Sequence, residues 1–162
     1  MIQEETIQKW LIDESLFKDK LPDENANFHY IINYPENHVM DIIQPLGKND
    51  LILIGCATEI ASEQRALMRE AKKSEREDYI WELRYTLNTQ LLDFNLQLEN
   101  DNELKQFIIT DKIFEDGLTK HLFIKTIEKV FKSKIQCIWK LEQKFGIPTQ
   151  DNSLNDDNNM FV

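Results

Sequence analysis

Signature motifs of the common enzyme classes are missing from this chain. It contains no glycine-rich phosphate loop, no nucleophile elbow, no HExxH helix and no closely spaced pair of cysteines. These absences exclude the classes of nucleotide-binding protein, hydrolase and zinc protein that the motifs define. We therefore expect a protein without a catalytic residue, a metal site or a cofactor.

Cysteine, proline and glycine are scarce, with two, four and four copies in 162 residues. Few helix breakers together with 41% hydrophobic residues are typical of a compact globular protein. Cys56 and Cys137 stand in apolar surroundings, so we interpret both as buried, reduced side chains rather than a disulfide or a reactive thiol.

Long apolar runs are also absent. No stretch approaches the ~18 apolar residues that a transmembrane helix needs. The first ten residues carry acids where a signal peptide has a basic region followed by an apolar run. These features predict a cytoplasmic protein that does not contact a membrane.

Positive charge is in short supply, because 19 basic residues face 29 acidic ones and the formal net charge is -10. Such a surface repels phosphate backbones and anionic lipids, which makes nucleic acid and membranes poor partners. A basic segment of another protein is a better electrostatic match. The charge also serves solubility, and we give that explanation the larger share.

The length fits one domain, which we place at residues 1–147. Residues 148–162 are rich in Asn and Asp and show no periodicity, so we predict a disordered tail. A short docking element at Met160, Phe161 and Val162 is an alternative, but terminal residues are usually disordered and without such a role.

Hydrophobic periodicity predicts the order α-β-β-β-α-β-β-α. Apolar spacing indicates a first helix over residues 2–16, and alternation indicates strands over residues 26–34, 38–46, 51–56, 93–99 and 104–110. Residues 63–91 contain no Gly or Pro and predict one long middle helix, of which the second half is amphipathic. The last helix is predicted over residues 114–145, with a possible break near Gly117 and a stop at Gly146. The fold class is α+β with an antiparallel five-stranded sheet packed by helices.

Five stretches of the chain carry a resemblance to a known family: Ile7 to Glu14, Phe28 to Glu36, Ile42 to Gly55, Trp81 to Leu87 and Ile138 to Gly146. The chain resembles an uncharacterised, mainly archaeal family of unknown function with a type III secretion chaperone-like fold. The resemblance implies a twisted sheet backed by helices and, as in many small acidic proteins of that group, a homodimer. It implies no activity, because fold does not fix function.

Three sets of residues are candidates for chemistry or binding. His29, His38 and His121 are the only histidines, and the strand spacing separates the first two, so a shared metal site is not expected. A basic cluster lies at the start of the middle helix, for which we favour a structural role over anion binding: Arg65, Arg69, Lys72, Lys73 and Arg76. Trp10, Trp81 and Trp139 fall at helical apolar positions and favour core packing or interface anchoring.

The leading hypothesis is a non-catalytic protein-binding module, chaperone-like or adaptor, with an unidentified client. Four aromatic side chains are its predicted binding residues: Tyr30 and Tyr34 on the first predicted strand, with Trp81 and Tyr85 on the middle helix. Two alternatives stay open at this point. One is an enzyme with a site near His29 and His38, and the other is an anion-binding regulatory domain that uses the Arg65–Arg76 cluster.

Overall fold

The computed structural model describes residues 1–35 and 37–147. The predicted tail at 148–162 therefore lies outside the described residues, as does Glu36 in the turn after Pro35. The helices and strands follow one another as α1 (Glu4–Asp13), β1 (Phe17–Lys20), β2 (Ala26–Asn33), β3 (Val39–Pro45), β4 (Leu51–Glu59), α2 (Ser62–Glu70), α3 (Lys73–Thr89), β5 (Asp93–Glu99), β6 (Glu103–Phe114) and α4 (Lys120–Phe145).

The sheet has six antiparallel strands in the order β1-β2-β3-β4-β6-β5. The prediction of an α+β fold is confirmed, but the prediction of five strands is wrong. The additional strand is β1, whose sequence FKDK is short and mostly charged. It pairs with β2, where Phe17 lies opposite Ile32 and Lys20 lies opposite Tyr30. Backbone pairing to β2 creates this strand, because its own side chains carry little strand propensity.

The predicted long middle helix is two helices, α2 and α3. The chain is extended at Ala71 and Lys72, with ψ angles of 161° and 146°. The second helix starts with its own cap, since the Lys72 backbone N–H donates to Glu75 Oε2 at 3.0 Å. The absence of Gly and Pro therefore did not guarantee continuity.

The C-terminal part differs from the prediction at its start and agrees at its end. Strand β6 extends to Phe114 and a single 3-10 turn covers Glu115–Gly117, so the last helix begins at Lys120. It ends where expected, because Gly146 has a φ of 93° and donates its N–H to Glu142 O at 2.8 Å. Cys56 and Cys137 are both buried and unbridged, as expected.

The chain divides into two compact units, one of residues 1–56 with 110–130 and one of residues 57–109 with the chain from 131 onwards. Strands β4 and β6 and helix α4 each contribute residues to both units. The assignment of residues 1–147 to a single domain stays a prediction.

The first unit packs one face of β2 and β3 into its core, including Phe28, Tyr30, Ile32 and Ile42. Helix α1 and the start of α4 meet through the rings of Trp10 and Phe123, whose centroids are 5.6 Å apart. The second unit packs the buried stripe of α3 beside the second half of α4. Its central contact is Tyr79, whose hydroxyl donates to Cys137 O at 3.1 Å.

Candidate protein-interaction site

Helix α3 carries two aromatic side chains on its solvent face. Trp81 is 53% exposed and Tyr85 is 67% exposed, one helical turn apart. Their ring centroids are 6.0 Å apart, and the guanidinium carbon of Arg84 lies 4.7 Å from the centroid of the Trp81 ring. That distance falls within the range of a cation–π contact. We call Trp81, Arg84 and Tyr85 the aromatic patch.

The opposite face of α3 explains why the patch is held at the surface. Four apolar side chains of that face are buried in the second unit: Tyr79, Ile80, Leu83 and Leu87. Tyr79 also stacks edge-to-face on Phe145, with centroids 5.5 Å apart. Because this stripe fixes the rotation of the helix, the 3.6-residue period points Trp81 and Tyr85 outward.

Two carboxylates border the patch on its N-terminal side. Glu77 and Asp78 are exposed and lie four and three residues before Trp81, which places them one helical turn away. Within residues 1–35 and 37–147, neither has an ion-pair partner. Glu82 does have one, since Lys144 Nζ lies 3.3 Å from its Oε1. The patch therefore combines unshielded rings, one cation and two uncompensated anions.

Two arginines of the basic cluster at residues 65–76 are held in ion pairs with acidic side chains. Arg65 Nε donates to Glu103 Oε1 at 2.8 Å, and Arg69 Nη1 donates to the same oxygen at 2.7 Å. A second nitrogen of Arg65 pairs with Glu99. These ion pairs support the structural role favoured from the sequence for Arg65 and Arg69, and the use of the cluster by an anion-binding domain stays an untested alternative.

Arg76 serves a different structural purpose, because it is 92% shielded from solvent and bonds only to backbone oxygens. Its relative exposure is 8%, and its guanidinium donates to Met68 O at 2.9 Å, Ala71 O at 2.6 Å and Asp101 O at 2.8 Å. It thereby joins the end of α2 to the turn between β5 and β6.

Tyr30 is not an exposed binding residue, and that prediction is wrong. Its side chain is fully buried in the first unit. The ring packs against Phe28 and Phe17 with centroids 5.3 and 5.6 Å away, and the hydroxyl donates to Glu4 Oε1 at 2.6 Å. Burial and the Glu4 carboxylate raise the pKa of Tyr30. The aromatic face of β2 is the core face, because large rings gain most from burial.

Tyr34 follows the end of β2 and is half-buried. Burial and the nearby Glu128 carboxylate raise its pKa, which indicates that its hydroxyl already faces a partner in the first unit. Of the four predicted binding residues, the structure brings together only Trp81 and Tyr85. The alternative of core packing is wrong for Trp81 and for Trp139, which is 65% exposed.

His29 is held between two carboxylates rather than beside another histidine. Its Nδ1 lies 2.9 Å from Asp23 Oδ2 and its Nε2 lies 2.7 Å from Asp41 Oδ1. His38 lies beyond the far end of β2, where the Tyr34 N–H donates to its carbonyl at 2.8 Å. Five residues of strand separate this point from His29, about 16 Å at ~3.3 Å per residue. The two histidines do not share a site, as the spacing predicted.

This arrangement predicts a pH-dependent stability. Burial alone would lower the pKa of His29, but hydrogen bonds with Asp41 and Asp23 outweigh it and raise the pKa. The stabilisation is therefore complete below about pH 6.5, the ordinary histidine value, and is lost as the pH rises through the higher folded-state pKa. We expect His29→Gln to be less stable than the natural protein at about pH 6, with the gap closing towards about pH 9.

Denaturant unfolding at a series of pH values measures this gap. Burial raises the pKa of Asp41, and a backbone hydrogen bond from Asn25 lowers that of Asp23. His121→Gln, at an exposed helix position, is the matched control and should show no gap. A His29→Gln gap that stays constant across the pH range would contradict the assignment.

Arg84, Glu77 and Asp78 were not singled out for binding from the sequence. A signal for Arg84 exists, because it follows Trp81 by three residues and such pairs are neighbours on a helix. Glu77 and Asp78 lie in a run of mixed charge that is typical of a solvated helix face, and their position beside exposed rings becomes visible only when the rotation of α3 is known.

Two negative findings accompany the site. In the part of the chain that the structure describes, no three His, Cys, Asp or Glu side chains converge as metal ligands. Across the same residues, no helix combines the length and apolar character that crossing a bilayer requires.

The architecture is that of an α+β protein, and comparison with known proteins identifies the family of the chain. Residues 3–141 match the profile of a family described as an uncharacterized conserved protein, DUF2299. The chain belongs to that family. The search of curated proteins found no match to the chain.

Two solved structures are similar to the chain. One is an uncharacterized protein from Methanothermobacter thermautotrophicus, 46% identical, with a TM-score of 0.86 over 90% of this chain and 100% of the other. The second is YbjN from E. coli, 16% identical, with a TM-score of 0.49 over 88% of this chain and 93% of the other.

Proposed function

We propose that this protein is a non-catalytic protein-binding module, chaperone-like or adaptor in kind, and that the aromatic patch is a surface through which it binds protein. The observation that carries the proposal is the exposure of Trp81 and Tyr85 on a helix whose opposite face is locked into a core. Both side chains leave more than half of their surface exposed to solvent.

The composition of the patch supports protein binding over other uses of an exposed surface. Trp, Tyr and Arg are the side chains most enriched among the residues that dominate protein–protein affinity. A helix with a buried opposite face presents them at a low entropic cost, since the backbone is ordered before the partner arrives. Truncating a ring of this kind typically costs at least about 2 kcal/mol of binding energy, or about 30-fold in affinity.

The chaperone-like character and the expected homodimer have a separate basis. They are supported by the resemblance of five stretches of the sequence to an uncharacterised, mainly archaeal family with a chaperone-like fold, a fold in which many small acidic proteins form homodimers. The net charge of -10 additionally favours protein over nucleic acid as the partner class.

A comparison of variants tests the proposal. Three purified, tagged proteins are compared: the full chain, the double variant Trp81→Ala/Tyr85→Ala and the control Trp139→Ala. The amount of protein that each recovers from native lysate measures binding to other chains, and light scattering measures self-association. Trp139 is a suitable control because it is equally exposed but lies on α4. We expect protein association, with itself or another chain, to fall at least tenfold in the double variant only. Association that is unchanged in the double variant would overturn the proposal.

A further inference from the structure

The exposed stripe of α3 has a symmetry that goes beyond the presence of two aromatic rings. Five of its positions are spaced symmetrically about Trp81: Glu77 and Asp78 precede it by four and three residues, and Arg84 and Tyr85 follow it by three and four. The first pair is anionic, and the second pair consists of a cation and a hydrogen-bond donor. When two copies of such a helix run antiparallel, each anionic position of one copy lies beside the cation or the hydrogen-bond donor of the other.

We propose that the protein filling the aromatic patch is a second copy of this chain, with two α3 helices packed antiparallel about a twofold axis through Trp81. This inference rests on the proposed function and names the partner at the same site. A twofold interface places residue i of one copy opposite residue j of the other and repeats the contact in reverse. Here each pair sums to the same number, so Asp78 meets Arg84 of the second copy and Glu77 meets Tyr85.

The contacts in this arrangement match in charge and shape. Each interface contains two Asp78–Arg84 ion pairs and two Tyr85 hydroxyls beside Glu77 carboxylates, with the two Trp81 rings at the centre. Central aromatic residues surrounded by polar contacts are the usual organisation of a protein interface. Within one helix Asp78 and Arg84 are six residues apart and are not neighbours, so their complementarity is used only between copies.

A parallel arrangement or an unrelated anionic partner would lose this match. In a parallel pair Asp78 would lie opposite Asp78 and Arg84 opposite Arg84, which is repulsive on both sides. The net charge of each copy, -10, opposes association at long range. At physiological ionic strength the Debye length is about 8 Å, so the matched charges inside the interface outweigh distant repulsion.

Charge reversal provides a direct test. The single variants Asp78→Arg and Arg84→Asp each place two like-charge pairs in the interface, so each alone is expected to dimerise at least tenfold more weakly than the natural chain. An equimolar mixture of the two is expected to recover dimers. In the mixed dimer both contacts become one Arg opposite one Asp, which restores attraction on both sides.

Sedimentation velocity on the full chain over a range of concentrations measures these equilibria. Glu70→Arg is the matched control for Asp78→Arg, because it also replaces an acid with arginine but at an exposed position of α2 outside the stripe. Recovery in the mixture also shows that neither single variant is misfolded. Trp81→Ala is expected to weaken the dimer to the same degree as the charge reversals.

The outcomes separate this inference from the proposed function. A natural chain that stays monomeric, but binds a different protein through Trp81 and Tyr85, overturns the second copy and leaves the binding module intact. A dimer that is insensitive to Asp78→Arg, Arg84→Asp and Trp81→Ala also overturns it, since another surface then holds the copies together. Rescue in the mixture, with weak self-association of each variant alone, establishes the antiparallel pairing.

Discussion

Replacing Arg76 with methionine is expected to lower the free energy of unfolding by about 2–4 kcal/mol. The substitution keeps the apolar stem but leaves the carbonyls of Met68, Ala71 and Asp101 without their shared donor. Two of these oxygens stand at the end of α2, where the partial negative charge of the helix terminus favours a cation. Arg76→Lys should recover only part of the loss, because an ammonium cannot reproduce the planar fork of donors.

Denaturant unfolding of the purified variants measures this loss. Lys132→Met is the control, since it removes a cation from an exposed position of α4 and is expected to change stability by less than about 0.5 kcal/mol. If Arg76→Met were as stable as the control, the three backbone contacts would not hold the α2–α3 break in place.

The second large effect is expected at Tyr30, where truncation to alanine should cost about 3–5 kcal/mol of folding free energy. The ring is fully buried, so its removal leaves a cavity and also removes the hydroxyl that donates to Glu4 Oε1. Tyr30→Phe should lose only about 1 kcal/mol, the net value of one hydrogen bond.

Tyr85→Ala supplies the reciprocal control for the core assignment of Tyr30. At a fixed low protein concentration it should leave stability nearly unchanged, because the side chain is 67% exposed, while association through the patch falls. Thermal unfolding and sedimentation of the two alanine variants measure both properties. A Tyr30→Ala protein with natural stability and weakened association would return Tyr30 to the binding surface.

Local sequence patterns were sufficient to predict the elements whose structure depends on neighbouring residues alone. The strand over residues 93–99 was predicted with its correct bounds, because strict alternation is followed by the turn residues Asn100–Asn102. The helical period also placed Trp81 and Tyr85 on faces that flank the apolar stripe of the middle helix, although it did not show that Trp81 is exposed. These two residues were the part of the candidate site that sequence could supply.

The other features depend on contacts distant in sequence. Strand β1 exists because β2 offers it a backbone ladder, and its charged sequence carries no alternation to detect. The break at Ala71 and Lys72 has a local cap at Glu75, but it is also stabilised by Arg76, which reaches back to α2 and across to the β5–β6 turn, and no Gly or Pro marks it in the sequence. Tyr30 was assigned to the wrong side because both faces of β2 contain apolar residues, and only packing selects between them.

The interleaving of the two units along the chain has a consequence for synthesis on the ribosome. Residues 1–56 are made first, yet their unit also needs residues 110–130, and the unit that begins at residue 57 needs residues beyond 130. Helix α4 supplies the closing piece to both. Domains usually fold as units, starting from the N-terminus during synthesis. Here the nascent chain cannot complete the first unit until residues 110–130 have left the exit tunnel, and it cannot complete the second until the rest of α4 has followed.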